Sequence, residues 1–377
     1  MTTSPTSRSR SRSRSHVRSV AILTAVALMA AACSNADDAE EPDVVDDVLV
    51  DDASSTVTLV AYESFPVADT DLNSALESFS AQTGIDVEIL IAGDTGTMVS
   101  KAALTAGNPE GDVIWGIDNT FISRAIEAEV LEAYTPADAS AIPDRLRTGA
   151  PGGIATPVTY GDVCVNVDLG WFAERDLEAP ASLSDLTEEA YADLLVVQNP
   201  ASSSPGLAFL AATVAAFGED WPQYWADLRA NGVAVTDGWT EAYYERFTHA
   251  GGGDRPLVVS YGSSPPAEVI FAPEPLAEAP TGVIEQTCLR QVEFAGILRG
   301  TDNPNGARRL LDFLVSAEFQ SALPLTLFVY PAVDGIELPT EFVDHAIIPA
   351  DPYTVDADLI ETDRADWIEE WTEIVLR

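Results

Sequence analysis

Between Thr56 and Asp118 the chain repeatedly changes hydrophobic period, and this constrains its fold more than any other feature. "TVTLVAYESF" (56–65) alternates like a strand. "LNSALESFSAQTG" (72–84) has the spacing of an amphipathic helix and is stopped by Gly84. "IDVEILIA" (85–92) is a second strand, "GTMVSKAALTAG" a helix, and "GDVIWGID" (111–118) a strand that runs into a polar loop. This β-α-β-α-β rhythm predicts an α/β sheet, in which ligands sit at the C-terminal ends of strands. After "GIATPVTYGDVCVNVD" (153–168) come predicted helices at "LSDLTEEAYADL" and "GLAFLAATVAAFG" and strands at "GVAVTD" and "PLVVSYGSSP". The chain returns through "CLRQVEFAGILRG" and ends in helices near 304–323 and 363–376, with "LTLFVYPAV" between them. Two α/β lobes with the chain crossing between them predict a hinged clamshell. Two independent domains or one large sheet are the alternatives that periodicity leaves.

The first residues carry a different pattern. Arg8, Arg10, Arg12, Arg14 and Arg18 form a basic, Ser-rich start, followed by an apolar stretch from Val20 to Ala32. Small residues then precede Cys33. A basic region, a short apolar region and small residues before a cleavage point mark an export signal. The stretch is short for a membrane span. The expectation is a lipoprotein signal peptide over 1–32 with Cys33 lipidated, although Ala30 stands where a Leu is usual. Residues 33–55 are acidic and lack aromatics, and they read as an extended tether. The protein is then expected in the cell envelope, periplasmic or extracytoplasmic, held to a membrane through Cys33.

With 61 acidic and 19 basic side chains the formal charge is −42. A charge this negative argues against nucleic acid or an anionic membrane surface as direct partners. It suits a cationic or neutral ligand, and equally a surface adapted to salt. Lys101 is the single lysine, so Schiff-base and Lys-based phosphate chemistry has almost no candidate. Export permits a disulfide. Cys164 and Cys288 both lie in strand-like runs, as a bridge or as two buried thiols.

Several residues are placed to carry chemistry. In "NPASSSPGLAFLAATVAAF" Ser204 can cap a helix with Pro205 at its first position. A helix start with free N–H groups and Ser hydroxyls can hold an anion, and the same residues also describe an ordinary capped helix. Tyr62, Trp239, Tyr261 and Phe328 follow strand-like runs or sit in turn-rich segments. Loop aromatics there can stack on a planar heterocycle and attract cations, or can be core and rim. Tyr243 and Tyr244 are adjacent, a pattern that binds ferric ion in some exported proteins. Glu63, Asp94, Asp118 and Glu241 are carboxylates near strand ends. No P-loop, HExxH or GxSxG is present, so no catalytic residue, resident metal or cofactor is expected.

Taken in order, these segments resemble the thiamine-binding periplasmic proteins of bacterial ABC importers, over roughly residues 56–377. "AYESF" resembles that family's Y-D-S-F, "VIWGIDN" its V-V-L-G-L-D-N, and "SSPGL" its S-T-P-G-L. "VTDGWTEAYY" resembles V-T-K-G-W-S-E-A-Y and "VVSYGSSP" resembles V-L-S-Y-T-T-S-P. "DFLVSAEFQSALP", "YPAV" and "WIEEWTEIV" follow in the right order.

The resemblance implies a two-lobed periplasmic binding protein (type II) clamshell with hinge crossovers. Lobe 1 would comprise 56–158 and, after the return, 286–377, and lobe 2 would comprise 159–285. It implies a monomer that closes on thiamine, thiamine monophosphate or thiamine diphosphate and delivers it to an ABC transporter permease. It implies roles for Asp94 and Thr95 as an acidic contact loop, and for Ser203 and Ser204 at the hydroxyl or phosphate end. Trp239 and Tyr62 match stacking rings, and Tyr261, Gly262, Ser263 and Ser264 match the Y-T-T-S loop. Glu63 replaces an Asp, Phe328 and Thr70 each replace a Trp, and Ala267 replaces a Tyr. A ferric-ion or small-anion binder of the same fold is the alternative. A thiamine-degrading enzyme with a nucleophilic Cys164 or Cys288 is a further one.

Overall fold

The first alternating run is a strand, β1 (Thr56–Ala61), but it stops short of the predicted end. Tyr62–Phe65 turn instead, with the Phe65 N–H donating to the Tyr62 carbonyl at 3.0 Å. The computed structural model describes residues 55–147 and 149–377. The expected signal segment 1–32, Cys33 and the tether before Ser55 lie outside the described residues.

Helix α1 (Asp71–Thr83) starts at Thr70, which exchanges capping hydrogen bonds with Asn73, and ends at Gly84 with φ 74°. Leu72, Ala75, Leu76 and Phe79 make its buried stripe, at the i, i+3, i+4, i+7 spacing of a helix face. Strand β2 (Asp86–Ile91) pairs in parallel with β1, and helix α2 (Thr95–Leu104) leads to β3 (Val113–Asp118). β3 is buried along its whole length, as befits a strand covered on both faces. A short helix α3 (Ile122–Glu127) and strand β4 (Leu131–Glu132) follow.

The second region has the long strand β5 (Thr156–Asp168), helix α4 (Leu169–Ala173), strand β6 (Leu195–Gln198), helices α5 (Ser204–Phe217) and α6 (Trp221–Ala230), and strands β7 (Ala234–Thr236) and β8 (Leu257–Tyr261). Strand β9 (Thr281–Leu298) returns, and β10 (Tyr330–Pro331) is a short addition to β5. The predicted helix over 183–194 is instead two short 3-10 turns, Asp185–Thr187 and Glu189–Tyr191. The Asp185 carboxylate accepts from the N–H groups of Ala181 (2.8 Å) and Ser182 (3.1 Å), a local bonding pattern that competes with a helix.

Among the described residues the strands form one sheet in the order β2-β1-β3-β9-β5-β8-β6-β7. β2, β1 and β3 are a parallel triplet, and β8, β6 and β7 are another. Between them run β9 and β5, antiparallel to each other and to their neighbours. The residues predicted as lobe boundaries, 158/159 and 285/286, fall inside these two crossover strands. Their pairing is irregular twice, between Pro157 and Thr159 and between Val163 and Val165. At the second irregularity Cys164 and Cys288 are joined in a disulfide, and both are fully buried.

Aromatic side chains join the layers. Phe79 of α1 meets Phe313 of the helix Pro304–Leu314 at 5.3 Å, and Trp115 of β3 meets Phe319 at 5.5 Å. Trp225 of α6 meets Trp371 of the C-terminal helix Ala357–Val375 at 5.5 Å. Among the described residues no helix is long and apolar enough to cross a membrane.

Candidate functional site

Both parallel triplets point their C-terminal ends at one cavity of about 510 Å3. Tyr62 and Glu63 follow β1, and Asp94 and Thr95 follow β2. Ser204 and Pro205 follow β6, Trp239 and Thr240 follow β7, and Tyr261 and Ser264 close β8. The return chain adds Glu293 from β9 and the segment Thr326–Val329. The volume is within the usual range for a small-molecule site.

The aromatic wall is built by specific contacts. Tyr62 sets the edge of its ring against Gly116, where an added Cβ would stand 2.2 Å from the ring. Trp239 stacks on Tyr243, with centroids 4.9 Å apart and planes 18° apart. Its indole N–H donates to Ser260 Oγ at 2.9 Å, and Ser260 in turn pairs with Ser264 Oγ at 2.9 Å. Tyr244 meets Trp239 edge-on and is exposed. Phe328 has a left-handed φ of 53°, and its carbonyl accepts from Ser263 Oγ at 2.6 Å. Phe271, an exposed residue, meets the Phe328 ring edge-on at 5.9 Å.

Carboxylates provide the charged part of the wall. Asp94 caps α2, accepting from the Thr95 N–H at 2.7 Å and from the Trp239 N–H at 3.1 Å. Burial raises its pKa despite these bonds. Glu293 accepts from Thr159 Oγ1 at 2.6 Å, yet burial and the nearby Asp118 and Asp94 push it up to about 7. Glu268 accepts from the Tyr243 hydroxyl at 2.7 Å and lies 3.4 Å from His249 Nε2, whose pKa this contact raises. Burial also holds the Tyr62 and Tyr261 phenols neutral, well above their ordinary value.

Of the predicted residues, Tyr62, Asp94, Thr95, Ser204, Trp239, Tyr261, Ser264 and Phe328 meet on the cavity wall. Ser203, Gly262 and Ser263 are buried beside it and do not line it. Ser203, not Ser204, precedes the first residue of α5. The Gly262 N–H donates to the Asp162 carbonyl at 2.8 Å, and an added Cβ would sit 2.6 Å from the Ile347 carbonyl oxygen. Glu63 is on the wall, Glu241 is exposed away from it, and Ala267 and Tyr243 with Tyr244 line it.

Asp118 does not face the cavity. It is fully buried and accepts from the Thr120 N–H (2.6 Å), the Phe121 N–H (3.2 Å), Gln291 Nε2 (3.0 Å) and the Ser204 hydroxyl. Thr70 is also elsewhere, committed to capping α1. Sequence reasoning missed Glu268 and Glu293. For Glu293 a signal existed: a carboxylate inside the apolar run "VEFAGI" is out of place unless the strand faces a site. The nucleophilic-cysteine alternative requires a free thiol in the cleft, and the Cys164–Cys288 disulfide removes it.

Comparisons with known proteins agree with this geometry. Residues 108–363 match the family model described as bacterial extracellular solute-binding protein. The thiamine-binding periplasmic protein of Salmonella typhimurium is 28% identical over 331 residues, covering 86% of this chain and 95% of that protein. Its Escherichia coli counterpart is 28% identical over 332 residues, with the same coverage of both chains. A solved structure titled periplasmic thiamin binding protein superposes with a TM-score of 0.74 at 26% identity, covering 85% of this chain and 96% of its own. The architecture is that of the two-lobed type II periplasmic binding proteins. With more than half of its length matched by the family model, the chain belongs to the bacterial extracellular solute-binding proteins.

Proposed function

We propose that this protein is the substrate-binding component of an ABC importer, that it captures thiamine or a phosphate ester of thiamine between two lobes, and that it delivers the ligand to a membrane permease. The observation that carries the reading is the convergence of rings and carboxylates from both parallel triplets on one cavity. Thiamine is a flat aromatic cation. Tyr62, Trp239, Tyr261 and Phe328 offer ring faces to its plane, and Asp94 is an acceptor for its aminopyrimidine. The start of α5, with Ser204, meets the tail. Ser203, Gly262 and Ser263 hold the contact loops in place.

Lobe 1 is residues 56–158 with 286–377, and lobe 2 is residues 159–285. β5 and β9 are the hinge. Closure is favoured by ligand because the closed state alone makes both sets of contacts. The protein acts as a monomer tethered to the membrane through a lipidated Cys33, and Cys33→Ser should release it from the membrane fraction.

Calorimetric titration of the protein with thiamine tests the reading. Each cation–π contact contributes about 0.5–2 kcal/mol, so two or three with hydrogen bonds reach the submicromolar range. Binding weaker than about 100 μM for thiamine and both of its esters would overturn it.

A further inference from the structure

The cavity wall carries carboxylates and, among the described residues, no Lys, Arg or His. Glu63 and Asp94 follow β1 and β2, Glu268 lies in the helix Pro265–Ile270, and Glu293 lies within β9. His249 stands behind Glu268 and is paired with it at 3.4 Å. Arg364, on the C-terminal helix, interacts electrostatically with Asp118 and lies over the Phe121 ring, away from the wall.

The start of α5 adds an independent observation. A hydroxyl there would serve an anionic group if it pointed outward. The Ser204 hydroxyl instead donates inward to Asp118, and Gln291 Nε2 donates to the same carboxylate at 3.0 Å. A buried carboxylate therefore lies directly behind the hydroxyl that a phosphate would need.

Resting on the reading above, we propose that this cavity selects thiamine itself, a flat cation with an uncharged hydroxyl tail, against its phosphate esters. A phosphate monoester carries about 1.5 to 2 negative charges near neutral pH. In a partly desolvated cavity these charges meet a wall of carboxylates that carries no basic side chain, His249 being already paired with Glu268 behind it, so they are repelled. The thiazolium charge meets the same carboxylates and is attracted. Selectivity thus arises from a repulsive element as much as from an attractive one.

Titration of the protein with thiamine, thiamine monophosphate and thiamine diphosphate under one buffer and salt tests this. The expected result is that thiamine binds tighter than the monophosphate by about tenfold or more, and the diphosphate is weaker still. The double variant Glu63→Gln, Glu268→Gln, checked by thermal melting for retained fold, should lose affinity for thiamine and gain it for the monophosphate. Equal binding of the three ligands, or tighter binding of an ester, would overturn the inference and leave the thiamine reading standing. Binding of none would overturn that reading and this inference with it.

Discussion

The carboxylate of Asp94 accepts a hydrogen bond from the backbone N–H of Trp239 at 3.1 Å, across the two halves of the sheet. Beside it the Gly96 N–H donates to the Ser202 carbonyl at 2.8 Å, and an added Cβ on Gly96 would stand 2.6 Å from the Ala201 carbonyl oxygen. The start of α2 is therefore pressed against the β6–α5 loop and the turn after β7. One side chain caps a helix, bridges the halves and lines the cavity.

These roles separate by substitution. Asp94→Ala removes the cap and the bridge together, and should cost about 1–2 kcal/mol in urea unfolding as well as ligand affinity. Asp94→Asn keeps one oxygen acceptor for the Thr95 N–H, loses the charge and sets an NH2 against the Trp239 N–H. It should keep the cap but lose the bridge, unfolding between wild type and Asp94→Ala, and bind thiamine more weakly. Equal thiamine affinity in both variants and in wild type would remove Asp94 from the ligand contacts.

Trp239 is held by its stack on Tyr243 and its indole bond to Ser260. Trp239→Ala should weaken thiamine binding by about ten- to a hundredfold, the range expected when a central aromatic contact is truncated. Trp239→Phe keeps a ring face without the indole donor and should recover part of the loss. Intrinsic fluorescence of the wild type should change on saturation, and titration calorimetry gives the affinities.

The alternation of strand and helix periods made the parallel triplets legible in the sequence, and with them the strand ends where the site lies. The burial of Asp118 was not legible, because its partners Thr120, Ser204 and Gln291 come from three separate segments. Nor was the role of Phe328, whose left-handed backbone and bond to Ser263 depend on tertiary packing. Glu268 was hidden because one Glu in a short helical run has no pattern of its own. The 183–194 segment misled because its Leu spacing fits both a helix and successive turns.

Burial raises Glu293 from 4.5 to about 7 and Asp118 from 3.8 to about 6. The folded protein then binds more protons than the unfolded chain between the unfolded and folded values, so stability falls as pH rises through about 4.5 to 7. The raised pKa values of Asp94 and His249 act in the same direction. For Glu293 alone the full effect is about 3 kcal/mol. The ligand-free protein should melt at higher temperature near pH 5 than near pH 8, and Glu293→Gln should flatten that dependence while retaining an acceptor for Thr159. A cationic ligand favours ionised Glu293, so thiamine affinity should rise with pH through about 7. A ligand affinity independent of pH would remove Glu293 from the field the ligand feels.

The disulfide joins the two crossover strands, closing a separation of 124 residues. Replacing both Cys164 and Cys288 with Ser should cost about 2–5 kcal/mol of stability. Both sulfur-bearing residues are fully buried, so a reductant should act on the native protein only as fast as the strands open. Reduction as rapid under native as under denaturing conditions, followed by mass spectrometry of the alkylated thiols, would contradict that protection.

Gly116 tests the aromatic wall from a position that does not line the cavity. Its φ is 91°, where a side chain is strained, and an added Cβ would lie 2.2 Å from the Tyr62 ring. It also marks the register shift between β3 and β9. Gly116→Ala should therefore cost about 1–3 kcal/mol of stability and push Tyr62 out of position. If Tyr62 supplies a ring face to the ligand, thiamine affinity falls by about tenfold for the loss of one aromatic contact. The same substitution made in a Tyr62→Ala background should barely change affinity, because the ring it displaces is already gone. That non-additivity is the signature of action through Tyr62. Additive losses in the two backgrounds would show that Gly116 shapes the cavity by another route.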